Sequence, residues 1–442
     1  MSTTPATLDL SAKDLDPSRD FARHLDSIDS LVGFRDRFAC PVDRDGSRIA
    51  YFAGNSLGLM PLDARRLVNE ELDDWASMAV EGHLSSRRPW LPYHESLSAP
   101  GARLVGATPD EVVMMNTLTV NLHLMMVSFY RPSGRRRLLL MEEGAFPSDR
   151  YAIESHVSSR GLDPATTIVR VAPHKGESLL RLEDTLAAIE RHADELALVL
   201  MGGVGFVTGQ RLEMPEITGA AQRAGAICGW DLAHAVGNIP LSLHDWNADF
   251  AVWCSYKYLN SGPGAVAGAF VHERHGANAA LPRYAGWWGN DPATRFRMEP
   301  QFVPRAGAHG WQLSNPPILS MAPLIASLAI FDEAGGMTAL RSKSRVLTAY
   351  LEFLLRERGA SGDAASRASR APIEVVTPAD VESRGCQLSL RVRGADAASR
   401  QRELAERGFW LDHRPPDVLR AAPTPLYNSF DEVWRLAEAL AG

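Results

Sequence analysis

The run AICGWDLAH (226–234) is a short, mostly apolar stretch that ends in an acid, Asp231. Such a run, bounded by Gly225 and an acid, reads as a buried strand. A carboxylate at the C-terminal end of a parallel strand faces the crevice where α/β proteins bind ligands. Downstream, FAVW (250–253) is a second strand-length run, and Ser255-Tyr256-Lys257 follows it. Working outward, RLLLM (137–141), TIVRV (167–171), LALVLM (196–201) and AGAFV (267–271) repeat the pattern, with helix-compatible segments between most of them. Strands apolar on both faces that alternate with helices predict a mainly parallel central sheet flanked by helices. The fold class is α/β.

Amphipathic helices are expected at Leu62–Met78, Val120–Tyr130 and Leu180–His192. The longest apolar stretch, Pro316 to Phe331, is interrupted by Ser320, Pro323 and Ser327 and reads as a buried helix, too short and too broken for a membrane span. After about Asn315 the texture changes. A helical stretch from Leu319 runs into Ser342–Arg358, residues 359–371 (GASGDAASRASRA) read as an exposed loop, and strand-like EVVTP and QLSLRV precede a closing helix near Phe430–Leu440. A domain change is expected near residues 315–330.

The 442 residues are 45% hydrophobic and 22% charged, which excludes disordered, collagen-like and coiled-coil chains. With 46 basic against 53 acidic residues the net charge is −7, poorly suited to holding nucleic acid non-specifically. Cys40, Cys228, Cys254 and Cys386 lie far apart with no CxxC, so neither a disulfide scaffold nor a zinc ribbon is expected, and the compartment reads as reducing. The first twenty residues are polar and acidic, without the basic stretch and apolar run of a targeting segment. A cytoplasmic protein with no membrane partner is the expectation.

Lys257 lies at a strand's end beside aromatic neighbours, where desolvation lowers an amine's pKa and makes it nucleophilic. Together with Asp231 it is the pair that pyridoxal 5'-phosphate requires: an amine for the Schiff base and an acid that keeps the pyridine nitrogen protonated. The same two residues also suit a helix-capping aspartate and a surface lysine. Asn116-Thr-Leu-Thr119 opens an apolar helix, either as a phosphate site or as an ordinary cap.

Three rivals fail on spacing. GGVGFVTG (202–209) before Asp231 approaches a dinucleotide turn, but Thr208 stands where the third glycine belongs and Met214-Pro215 starts the helix too late. His272-Glu-Arg-His275 lacks zinc-motif spacing, so no metal is expected. Arg135–Arg137 reads as a charged strand start rather than a nucleic-acid patch.

With these residues in view, the chain strongly resembles the kynureninase family of fold-type I pyridoxal phosphate enzymes. Eleven blocks carry the resemblance in order: GNSLGL (54–59), EGH (81–83), NTLTVNLHLMMVSFYRP (116–132), FPSDRYAIES (146–155), TGQ (208–210), WDLAHAVGN (230–238), WCSYKYLN (253–260), GWWG (286–289), SNPPI (314–318), RGCQLSL (384–390) and APTPLYNSF (422–430). The resemblance implies a transferase-like fold with a large cofactor domain, residues 62–325, and a smaller α+β domain built from 1–61 and 326–442.

It also implies roles. Lys257 would hold pyridoxal 5'-phosphate and Asp231 would pair with its ring nitrogen, with His234 alongside. Phe146 would stack on the ring, with Pro147, Ser148 and Asp149 in the same loop. Leu118 and Thr119 would meet the phosphate, joined by Tyr256. Gly202 belongs to this cofactor set but stands where the family often has a hydroxyl residue, so one side-chain contact is expected to be missing. Trp287 and Asn315 would reach in from a second subunit to complete the cofactor site, making a homodimer with shared sites. Arg420 would clamp the substrate α-carboxylate through a bidentate guanidinium. Ser56, His83 and Asn315 would line the aryl pocket.

The implied reaction is hydrolysis of L-kynurenine or 3-hydroxy-L-kynurenine to L-alanine and an anthranilate, a step of tryptophan degradation and NAD biosynthesis. Lys257 would move the Cα proton, water would add to the γ-carbonyl, and Tyr256 is a reasonable acid. The alternatives are a cysteine desulfurase-like or aminotransferase-like relative, or a binding protein that keeps the fold without catalysis. A desulfurase needs a nucleophilic cysteine on a mobile loop, and neither Cys254 nor Cys386 stands in such a context.

Overall fold

All six apolar runs become strands of one sheet in the computed structural model, which describes residues 14–361 and 372–442. A seventh strand, short and unanticipated, joins them. In chain order they are β1 (Val112–Met114), β2 (Leu138–Glu142), β3 (Ile168–Val171), β4 (Leu196–Gly202), β5 (Ile227–Asp231), β6 (Phe250–Trp253) and β7 (Gly268–Val271), arranged β1-β7-β6-β5-β4-β2-β3. Strands β3, β2, β4, β5 and β6 pair in parallel. Strand β7 runs antiparallel to both β6 and β1, so the sheet is mainly parallel.

Alternation along the strands builds two cores. Val199, Trp230, Trp253 and Phe270 enter one face, and Leu198, Leu200, Phe250 and Val252 enter the other. The large side chains fit because glycines face them. A Cβ on Gly229 would meet the Phe250 ring at 2.1 Å, and one on Gly268 would meet the Trp253 indole at 2.2 Å. At the start of β2, Arg136 donates to the carbonyls of Ala193, Leu196 and Ala224 at 2.8–3.0 Å. The basic cluster is therefore a clasp on the loops at the N-terminal edge of the sheet.

The expected helices form at Leu62–Met78, Leu118–Phe129 and Leu182–Arg191. The long helical stretch after Leu319 is two helices, Ile318–Glu333 and Gly336–Glu357, bent by 76°. Gly335 and Gly336 break it, with φ of 87° and 69°, a region that disfavours every residue with a Cβ. No single described helix is long and apolar enough to cross a membrane.

A second, antiparallel sheet contains β8 (Ile373–Val375), β9 (Leu388–Val392), β10 (Asp412–Arg414) and β11 (Val418–Ala421) in the order β8-β9-β11-β10. Its core draws on both ends of the chain: Ala22, Leu25 and Phe52 pack with Leu347, Leu351, Leu388 and Leu436. The helix Arg19–Ile28 is pinned to the closing helix Phe430–Ala441, whose first two amides donate to Asp26 at 2.7 and 3.0 Å. Most of the expected loop at 359–371, and the first part of the polar N-terminal segment, lie outside the described residues.

Candidate active site

The C-terminal ends of β2, β4 and β5 open into a cleft of about 420 Å³. Each strand delivers one polar group there. Asp231 ends β5, Gly202 stands opposite it in register at the end of β4, and Glu142 ends β2. Lys257 enters from the loop after β6. Its Nζ lies 2.9 Å from His234 Nε2, 5.8 Å from the centre of the Phe146 ring and 5.9 Å from that of Tyr256.

Burial governs the charges. It holds His234 well below the usual imidazole range, helped by the positive charges of Lys257, Arg420 and Arg414. The ring is therefore neutral and accepts from the lysine ammonium through Nε2, which leaves Nδ1 buried without a partner. Asp231 and Asp149 form a hydrogen-bonded carboxyl pair, and desolvation raises both. Asp149 is pushed up further, by the negative charges of Asp231 and Glu142, so it carries the shared proton. Asp231 is the anion of the pair, since the Ala233 amide donates to it at 2.7 Å and Lys257 lies near. Burial likewise raises Tyr256, next to Cys254, and keeps the phenol protonated.

At the other wall stands the start of the helix Leu118–Phe129. Thr117 occupies its N-cap position but makes no side-chain capping bond. The first-turn amides are thus not taken by the cap, and they face a cleft lined by Leu118 and Thr119. Thr119 and Ser148 share a hydroxyl–hydroxyl hydrogen bond of 2.8 Å. Ser148 follows Pro147, the first residue of the helix Pro147–Ser159, and Phe146 caps that helix with its ring against Phe206 at 5.2 Å. An anion-ready helix start, a buried carboxylate, an amine and an exposed aromatic face fit a phosphorylated aromatic aldehyde.

Not every expected residue is brought here. Ser56, His83, Trp287 and Asn315 do not line the cleft of a single chain. His83 lies in the short helix Gly82–Ser85 with its ring 5.4 Å from that of Trp90. Trp287 is 42% exposed, and Asn315 is exposed. Arg420 on β11 also stands behind the wall rather than in it. It is fully buried, donates to the Phe206 carbonyl at 2.7 Å and pairs with Asp412, while its Nε has no partner.

Sequence reasoning missed Glu142, Phe206 and Arg391, all of which line the cleft. Glu142 was recoverable, because it is an acid at the end of a parallel strand, the rule that found Asp231. The strand was drawn to Met141, one residue short. Gly202 lines the cleft as expected, and its amide donates to both Glu142 oxygens, at 3.1 and 3.3 Å.

Away from the cleft, His272 approaches Glu111 and His244, with candidate ligand atoms within 4.8 Å of one another. These atoms already serve the fold: Glu111 accepts from the amides of Thr108 and Glu273, and His272 Nδ1 from that of Arg274. His275 pairs instead with Asp249 at 2.6 Å.

Residues 102–362 match the aminotransferase class-V family, and residues 340–440 match the kynureninase C-terminal domain. The chain is 54% identical to a kynureninase of Myxococcus xanthus, over 96% of this chain and 97% of the relative. A kynureninase of Salinispora tropica is 53% identical, covering 95% and 96%, and one of Koribacter versatilis is 49% identical, covering 97% and 98%. Among solved structures, a cysteine desulfurase from Escherichia coli superposes with a TM-score of 0.72 at 17% identity, over 93% of this chain and 97% of that one. A C-DES mutant with glycine linked to its pyridoxal phosphate cofactor gives 0.72 at 16%, over 89% and 96%, and both show the fold. With identity near one half along almost the whole length, the chain belongs to the kynureninase family, on the fold-type I scaffold of pyridoxal phosphate enzymes.

Proposed function

We propose that this chain hydrolyses L-kynurenine, 3-hydroxy-L-kynurenine or both to L-alanine and the corresponding anthranilate, with pyridoxal 5'-phosphate as cofactor. The observation that carries the reading is the convergence of Lys257, Asp231 and the open helix start at Leu118 on one cleft. When bound, the cofactor supplies an electron-accepting ring that stabilises negative charge on the substrate.

The chain's own residues do the rest. The first-turn amides at Leu118 and Thr119, with the Ser148 hydroxyl, would hold the phosphate. Asp231 would supply the negative charge that the ring nitrogen needs, and the protonated Asp149 beside it holds that carboxylate in place. Phe146 presents a ring face. Lys257 binds the cofactor and then moves the proton at the substrate Cα, with neutral His234 as a hydrogen-bond partner through the proton transfer. Tyr256, protonated across the neutral range, donates a proton late in the reaction. Arg420 serves the substrate carboxylate from behind Phe206, which requires its guanidinium to exchange the Phe206 carbonyl for the substrate.

The working molecule is a homodimer in the cytoplasm. A second copy would bring Trp287 and Asn315, with Ser56 and His83 on the same substrate side, to a cleft that lacks them. Four unpaired cysteines suit a reducing compartment. We divide the chain into residues 62–325 and a smaller unit of 1–61 with 326–442, a division supported by the separate core that joins both chain ends. Cysteine desulfurase chemistry is disfavoured: none of the four cysteines lines the cleft, and three are buried. Incubating the holoenzyme with each substrate and separating the products tests the reading. Alanine with anthranilate or 3-hydroxyanthranilate is the expected outcome, and release of sulfide from cysteine without either product would overturn it.

A further inference from the structure

The carboxyl of Glu142 is the least explained polar group in the cleft. It hangs from the end of β2, reaches across to β4 and accepts from the Gly202 amide with both oxygens, at 3.1 and 3.3 Å. Among the described residues, only its own amide and that of Gly202 donate to it. A carboxyl has acceptor positions for about four hydrogen bonds. Its remaining capacity faces the cleft that it lines.

Position 202 explains why it can sit there. A Cβ built on Gly202 would lie 3.0 Å from Glu142 Oε1, close enough that the carboxyl, the far end of a flexible side chain, would have to shift by a few tenths of an ångström. A side chain at 202 would therefore abut the Glu142 carboxyl on the same stretch of wall. That stretch is beside Asp231, because Gly202 and Asp231 are register partners on adjacent strands.

We propose that Glu142 is a cofactor-facing residue, supplying from β2 the polar contact that Gly202 on β4 has no side chain to make. The inference rests on the reading of the cleft as a pyridoxal phosphate site. The charged neighbours are consistent with that duty. Asp231 from β5, Asp149 from the helix Pro147–Ser159 and Lys257 from the loop after β6 face the same space. Burial first, then the negative charge of Asp231, push Glu142 up to about 7. Near neutrality it can thus stand as a neutral acid that donates, where a fixed second anion would repel Asp231.

The test is a rescue read on the holoenzyme by how fast it loses its visible cofactor band on dilution. Glu142→Ala should shed cofactor about tenfold faster, the loss of one hydrogen bond to a charged or polar partner. Gly202→Ser alone should also lose cofactor faster than wild type, since its side chain crowds the carboxyl. The double variant Glu142→Ala/Gly202→Ser should recover most of the loss, because the serine hydroxyl enters the vacated place. A purely structural role for Glu142 predicts no such recovery. If Glu142→Ala does not fold, Glu142→Val, which suits a strand end and likewise removes the carboxyl, replaces it in the same cycle. Wild-type retention in the single Glu142 variant, or a folded double variant no better than it, would overturn the proposal. A wild-type protein with no borohydride-reducible band would instead sink the reading of the cofactor site itself.

Discussion

Two parts of this molecule handle the same task in opposite ways. Most groups of the cleft come from one sheet, as the ends of neighbouring parallel strands joined by the start of one helix. By contrast, several large apolar side chains outside the cleft lie open to solvent in the single chain. Val80 is 72% exposed, Leu84 68%, Trp75 60% and Trp287 42%, more large apolar surface than water favours. The cleft is thus built by strand ends of the sheet, whereas these apolar side chains lie open to solvent in the single chain.

The two parts also answer pH with opposite signs. Near Trp288, burial holds His94 down to about 3 and His309 to about 4. Unfolded histidines take protons near 6.5 and these do not, so the stability they contribute is present above pH 6.5 and is lost as pH falls towards the folded values. In the cleft, Glu142 keeps its proton up to about 7, against 4.5 for an ordinary glutamate. Its contribution is full below 4.5 and is lost as pH rises through 7.

The strongest way to break the contrast is to remove the amine on which the cleft converges. Lys257→Ala should fold and dimerise but lose the borohydride-reducible band, with kcat/KM down at least about 10³-fold. A reducible adduct on another lysine would mean that the cleft has been misread. Complementation sharpens the contrast next. Asn315→Ala and Lys257→Ala, each nearly inactive alone, should after mixing and exchange regain about a quarter of wild-type activity, since half the dimers then hold one intact site. No recovery on exchange, or a fully active monomer in sedimentation, would put the whole site in one chain.

A smaller effect separates the pH limbs. His94→Phe should flatten the acid side of the stability profile by about 1.4 kcal/mol per pH unit between pH 6 and 4, read by urea unfolding. An unchanged acid limb would place the proton uptake elsewhere. The smallest effect concerns the substrate ring. The wild type should accept 3-hydroxykynurenine well, and His83→Phe should shift its kcat/KM ratio to kynurenine about tenfold against the hydroxylated substrate, by leaving the ring hydroxyl unpaired. A ratio that stays put would assign His83 to packing on Trp90 alone.

Most of the cofactor wall was legible in the chain itself. Apolar runs of strand length are local signals, and so is an acid or lysine placed just beyond one; Asp231 and Lys257 needed nothing more. The family resemblance, carried by ordered sequence blocks, implied Thr119, Phe146 and Ser148 as neighbours of one cleft. Non-local pairing was not legible. The three-residue β1 is too short to announce itself, and the antiparallel sense of β7 depends on which strands it lies between. The four-stranded sheet closes only when a helix from the N-terminus packs on the last helix of the chain.

The sequence by itself determined the α/β class and the polar residues at the strand ends, which rest on residue types at short, countable separations, and the family, which rests on ordered blocks of resemblance. The tertiary structure alone decided three other points. It put the Glu142 carboxyl against the Gly202 amide, set Arg420 behind Phe206 and left Ser56, His83, Trp287 and Asn315 off the cleft of a single chain. Each of these depends on which side chains from distant parts of the chain compete for the same volume, and close packing settles that only once all the strands and helices are in place.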